Sequence, residues 1–228
     1  MQAKPQIMKT IYAFFILIMC AGVALAQPPK DKPQQDKKAS KILGDVSKKY
    51  RSYKTIKAQF TFKLENTKEG INESQSGTVY LKKDKFKVEM KGVELFCDGK
   101  TIWNYLKEDG EVHVSKFDAK DSAENSPTKI FTMYEKGFLY KFIEEKNEGG
   151  KIMQHIELTP KDKKKTFFKV KLKIDKAAMQ IVSSKIYDKN GNVYTYEIRQ
   201  FTPDPNLSDA FFVFSKQAHP GVTEVDNR

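Results

Sequence analysis

GTVYLKKDKFKVEM, residues 77–90, holds two runs of period two joined by a charged turn. Val79 and Leu81 alternate with Thr78, Tyr80 and Lys82. Beyond the turn, Phe86, Val88 and Met90 alternate with Lys87 and Glu89. A period of two gives each strand one apolar and one polar face. Strand patterns of this kind recur at Ala58–Leu64, Glu94–Cys97, Thr101–Leu106, Glu111–Phe117, Met153–Leu158, Thr166–Ile174, Gln180–Tyr187, Val193–Phe201 and Phe211–Phe214, about eleven in all. In TFFKVKLKID the alternation sets Phe168, Val170, Leu172 and Ile174 against Lys169, Lys171 and Lys173. Turn signals at Asp98-Gly99, Asn147–Gly150 and Asn190-Gly191 keep the links short, which predicts antiparallel pairing.

Two stretches read as helices. Ala39, Ile42, Leu43, Val46, Tyr50 and Tyr53 recur at helical spacing. Ser126-Pro127 has the form of an N-cap and first-turn proline ahead of Ile130, Phe131, Tyr134 and Phe138, with Gly137 as a break or kink. The remaining question is what so many apolar strand faces bury, since two helices cover little of them.

The first 26 residues stand apart from this pattern. Lys4 and Lys9 precede the apolar run Ile11–Cys20, and Ala24-Leu25-Ala26 supplies a small-x-small cleavage pattern. That is the form of a secretory signal, too short for a span. Cys20 raises lipid attachment as an alternative, but Met19 before it fits a lipoprotein signal poorly. Residues 27–38, QPPKDKPQQDKK, read as a flexible linker, and 39–228 as one domain. Loss of Lys4 and Lys9 lowers the net charge from +12 to +10. Such a surface favours anionic partners, among which nucleic acid is excluded by export. Cys97 alone would remain, so packing rather than a disulfide must hold the fold.

Catalytic and metal signatures are missing from the sequence. His113, His155 and His219 are dispersed without cysteine or acidic partners at ligand spacing. No G-x-S-x-G, P-loop or dinucleotide fingerprint occurs, and Cys97 in a strand before a tight turn reads as a structural thiol. Neither an enzyme nor a cofactor is expected. Lys163-Lys164-Lys165 reads as a solubilising strand-end run. Lys83, by strand parity, is expected on the apolar face. Trp103 and Tyr105 alternate with Ile102 and Leu106, so that strand leaves its inward face open.

The ordered segments AQFTF (58–62), GTVYLKKDKFKVEM, DGKTIWNY (98–105), the Ser126-Pro127 helix, ELTPKD (157–162) and FFVFSKQAHPGVTEVDNR (211–228) resemble the LolA family of periplasmic outer-membrane lipoprotein carriers. The resemblance runs from about Ala39 to the C-terminus. It implies a mainly β fold, an incomplete antiparallel β-barrel with helices forming a lid over a hydrophobic cavity. It further implies that Phe60, Phe62, Val79, Leu81, Phe86, Val88, Met90 and Leu95 line an acyl-chain cavity under a lid bearing Ile130, Phe131 and Tyr134. Lys83-Asp84 falls where the family has a lid-controlling arginine and proline. Lysine keeps the charge and loses the bidentate fork. The implied partners are lipoprotein acyl chains, an inner-membrane ABC lipoprotein exporter and an outer-membrane acceptor, met by a periplasmic monomer. A lipid-binding or lipoprotein-sensing module on the same half-barrel is the alternative.

Overall fold

The computed structural model describes residues 35–117 and 133–228. One helix, α1 (Lys37–Ser52), precedes β1 (Ile56–Asn66), β2 (Ile71–Lys82), β3 (Lys85–Met90), β4 (Val93–Cys97), β5 (Thr101–Leu106) and β6 (Glu111–Lys116). A 3-10 turn (Met133–Glu135) leads into β7 (Phe138–Glu148), β8 (Lys151–Pro160), β9 (Phe167–Asp175), β10 (Gln180–Asp188), β11 (Val193–Pro203) and β12 (Thr223–Asp226). The strands form one open sheet in the order β12-β6-β5-β4-β3-β2-β1-β11-β10-β9-β8-β7. The sheet does not close on itself, in keeping with a half-barrel. Bulges leave Arg199 on β11, Val182 on β10, Phe168 on β9 and Ile143 on β7 without a ladder partner. Each such bulge bends its strand and increases local twist, which lets a wide sheet curl.

The helix is tied to the sheet edge at its first residue. Asp36 caps it, its Oδ1 accepting from Lys38 N at 2.8 Å and Ala39 N at 3.0 Å. Oδ2 accepts from Phe142 N at 3.0 Å, beside the β7 bulge, and Asp36 N donates to Tyr140 O. These hydrogen bonds hold the Asp36 carboxyl below the usual carboxylate range. Ala39, Leu43, Val46 and Tyr50, one stripe of the helix, are buried against the concave side. Tyr50 packs edge-on to Phe201 at 5.7 Å, and its hydroxyl accepts from Ile181 N. The helix begins at Lys37, two residues inside the stretch read as linker.

Four expectations are corrected. Phe138 belongs to no helix: Gly137, at φ 83°, ends the 133–135 turn and Phe138 opens β7. The Ser126-Pro127 helix start, Ile130 and Phe131 lie outside the described residues. Residues 211–214 form no strand, because Asp209–Phe212 winds into a 3-10 turn. Pairing is not wholly antiparallel, since β12 runs parallel to β6. The connecting tail crosses the outside of the sheet first, and this long link permits a parallel return. Finally, Phe168 is 48% exposed. The bulge at Phe168 turns Phe167 inward instead, against Phe138.

The tail forms the second layer. Phe212 is fully buried, Phe211 meets Tyr80 at 4.8 Å, and Phe214 packs on Phe96 and Tyr105 at 5.6 and 5.4 Å. Trp103, Tyr105 and Val222 border the small core of Phe96, Val112 and Phe214. Trp103 and Tyr105 therefore face outward under the tail, and Ile102 faces the main core. Each fully buried aromatic of this kind contributes about 1.5–3 kcal/mol relative to exposure.

Candidate functional site

Register across β1–β5 arranges the concave side in rows. Ile56, Leu81, Phe86, Cys97 and Ile102 form one row, and Ala58, Val79, Val88, Leu95 and Asn104 the next. The third row is Phe60, Gly77, Met90, Val93 and Leu106. Burial falls along this series. The first row is buried apart from half-buried Ile102, the second is buried as far as Val88 with Leu95 half-buried, and the third is half-buried throughout its side chains. Burial on this face therefore decreases from Phe86 and Cys97 toward Phe60, Met90 and Val93. Phe117 packs edge-on to Phe86 at 6.0 Å.

The proposed lining residues thus occupy one face. Val79, Leu81, Phe86 and Val88 belong to the buried floor, and Phe60, Met90 and Leu95 to the half-buried margin. Phe62 lies one step further along β1 and packs on Tyr196 at 5.0 Å. Gly77, which the strand pattern gave no role, leaves this margin room: a Cβ there would lie 2.7 Å from the Phe60 ring and 2.8 Å from Met90 Cγ. Its signal was a glycine inside an otherwise alternating strand. A shallow hollow of about 350 Å³ opens here, lined by Phe60, Gly77 and Met90 together with Gln59, Ser76, Thr78, Glu89 and Arg199. Its lining is mixed rather than wholly apolar, because residues of both strand faces reach it.

The helix packs on the same side of the sheet, beside β7 and the 133–135 turn. Of the expected lid residues, Tyr134 is described, and it is buried. Ser47 Oγ donates to its hydroxyl at 3.3 Å, and Tyr140 Oη donates to its carbonyl at 2.6 Å. Arg51 pairs with Glu135. These contacts fasten the 133–135 turn between α1 and β7, so Tyr134 acts as a fixed wedge. Burial raises the Tyr134 and Tyr140 phenols above their ordinary value, and both stay neutral donors and acceptors.

Lys83 does not face this side of the sheet. β2 ends at Lys82, and Lys83 opens the two-residue turn at φ 54° with its side chain exposed. A tight turn takes its central residues out of strand alternation, so parity cannot be extended into it. The lysines that make contacts are its neighbours, on the outer face. Lys82 Nζ donates to Leu207 O at 2.7 Å and pairs with Asp209 at 3.0 Å, and Lys85 pairs with Asp209 at 2.9 Å. Lys85 and Lys82 hold the Asp209 carboxyl down at about 2. This clamp holds the tail.

The remaining reactive candidates each have local partners. Cys97 is fully buried, and loss of hydration pushes its thiol up to about 12, with Gly99 N as a weak donor at 3.4 Å. His113 and His155 sit against Glu111 and Glu148 at 3.2 and 2.9 Å, and His219 stacks on Phe214. Among the described residues no cluster of three His, Cys, Asp or Glu side chains could hold a metal ion, and no helix is long and apolar enough to cross a membrane.

Comparison with solved structures gives several similarities. An uncharacterized conserved protein from Thermus thermophilus superposes with a TM-score of 0.53 at 17% identity, over 84% of this chain and 100% of that one. The lipoprotein LppX of Mycobacterium tuberculosis gives a TM-score of 0.47 at 13% identity, over 76% and 100%. A LolA superfamily protein from Nitrosomonas europaea gives 0.42 at 11% identity, over 77% and 97%. No curated protein is found to match the sequence. The family model described as outer membrane lipoprotein carrier protein LolA matches residues 51–215, from the end of α1 through the 3-10 turn of the tail, and the chain belongs to that family.

Proposed function

We propose that the protein is an extracytoplasmic carrier that shelters the acyl chains of lipoproteins in a groove along β1–β5. The observation that supports it is the burial gradient: a wholly apolar floor rises to half-exposed Phe60, Met90 and Leu95 at one open side. A core built only for stability has little use for such a margin. Chain ends would enter over Met90 and Phe60, with the tethered lipoprotein outside.

The thermodynamic need is large. At about 0.8 kcal/mol per methylene, an acyl chain of about 15 methylenes costs on the order of 12 kcal/mol to bring into water. A groove that replaces membrane contact removes that barrier without covalent chemistry. In this reading residues 1–26 direct export to the periplasm and are cleaved, and the working unit is the monomer spanning 39–228. The chain receives its cargo from an inner-membrane ABC exporter and yields it to an outer-membrane acceptor. In this reading the segment that carries Ile130 and Phe131 is the lid.

The test is uptake of an apolar fluorescent probe, followed by competition with a triacylated lipopeptide or with phospholipid. Stronger displacement by lipopeptide is expected, and Leu95→Glu, which sets an unpaired charge at the margin, should abolish uptake while the protein stays folded. Absence of uptake by the folded parent would refute the groove. Preferential displacement by phospholipid would instead favour a carrier or sensor of another amphiphile.

A further inference from the structure

The convex side carries a second feature, independent of the groove. At the β9 bulge Phe168 is 48% exposed, and its ring lies 6.3 Å from that of Tyr187 on β10. Three ammonium groups gather around Tyr187: Lys169 at 5.1 Å, Lys171 at 5.8 Å and Lys185 at 5.9 Å from its centroid. Lys169 also stands 5.6 Å from the Phe168 ring. Among the described residues none of the three lysines is in an ion pair within 4 Å. Two carboxylates face the cluster: Glu157 on β8 stands directly across from Lys171, and Glu65, paired with Lys63, also attracts Lys185. Three like charges around one ring repel each other, and the bulge that exposes Phe168 leaves a large apolar side chain in water.

We infer that this Phe168–Tyr187 platform and its three lysines dock the carrier on an anionic lipid surface. The chemistry favours a membrane over an enclosed ligand, because the patch lies on the outer, convex side of a sheet. Lysines act as mobile point charges toward phosphate, without the fixed fork that arginine would impose. A protruding phenyl group beside them suits the boundary between headgroups and acyl chains. Docking by the outer face leaves the groove on the opposite side of the sheet uncovered while the protein rests on the bilayer.

The experiment is sedimentation of the processed chain, its N-terminus checked by mass spectrometry, with two kinds of vesicle. One is phosphatidylcholine alone, and the other is equal parts phosphatidylcholine and phosphatidylglycerol. Binding is expected to the anionic vesicles only and to fall with added salt. The triple variant Lys169→Ala, Lys171→Ala, Lys185→Ala should weaken it about 100-fold, at roughly fivefold per lysine. Phe168→Ser should weaken it about tenfold with net charge unchanged. A control triple at Lys54, Lys100 and Lys116, also to Ala, removes equal charge elsewhere and should retain binding. Leu95→Glu should bind vesicles as the parent does, so that a failed groove and a failed platform are told apart. Equal loss in the control triple would overturn the inference in favour of net charge. Absence of binding to anionic vesicles would overturn it in favour of an acidic protein partner.

Discussion

Gly77→Ala is the sharpest probe of the groove. A Cβ at this position would stand 2.7 Å from Phe60 Cζ, 2.8 Å from Met90 Cγ and 2.8 Å from the Glu89 carbonyl oxygen. Phe60 Cζ ends its side chain and can swing aside, whereas Met90 Cγ lies next to Cβ and yields only by a change of rotamer. The third is backbone in the β2–β3 ladder, and moving it strains the pairing of Gly77 with Met90. Overpacking of this kind costs about 1–3 kcal/mol. The alanine also stiffens the unfolded chain, which returns about 0.4–1 kcal/mol. A net loss of about 1–2 kcal/mol is expected, which for a domain of this size lowers Tm by about 2–8 °C. Urea unfolding followed through Trp103 fluorescence gives the free energy, and a thermal scan gives Tm. Met90→Ala added to Gly77→Ala should relieve only part of the strain, since the Glu89 oxygen remains. An unchanged or raised stability in Gly77→Ala would show that the strands do not approach as described, and the three-row groove would fall with them.

Asp36→Ala should cost about 1–2 kcal/mol through the lost cap. Because the folded Asp36 pKa is lowered, its contribution is complete above the unfolded value near 3.8 and fades as pH falls through the folded value. Parent and Asp36→Ala should therefore converge in strong acid, and a constant gap down to pH 2 would contradict the assignment. Phe212→Ala, at a fully buried tail position, should cost about 3–5 kcal/mol by chemical denaturation. A loss below about 1 kcal/mol would mean that the tail is not packed. Lys83→Leu should leave stability within about 0.5 kcal/mol and lipopeptide binding unchanged, whereas a binding defect would return Lys83 to the groove. Cys97 should resist alkylation at pH 8 until denaturant unfolds the sheet, and rapid native labelling would contradict its burial.

Period-two alternation determined which residues could share a face. Leu81, Phe86 and Val88 are inward because the pleat leaves them no other choice. Helical spacing likewise marked Ala39, Leu43, Val46 and Tyr50 as the buried stripe of α1. Ordered segments of the chain carried the family resemblance. Alternation fails where the backbone leaves the pleat. A two-residue turn put Lys83 in solvent, and a bulge exchanged Phe167 for Phe168. No local pattern marks a bulge of that kind, since its position depends on how the whole sheet curls. Trp103 was ambiguous because both faces of β5 are apolar, and only the tail, arriving from more than 100 positions away, decides which is outer. Gly77 and Asp36 gain their importance in the same way. Met90 faces Gly77 within the β2–β3 hairpin, but the Phe60 ring that crowds this glycine comes from β1, and Phe142 reaches Asp36 only through helix docking, contacts that exist only once the tertiary structure has formed.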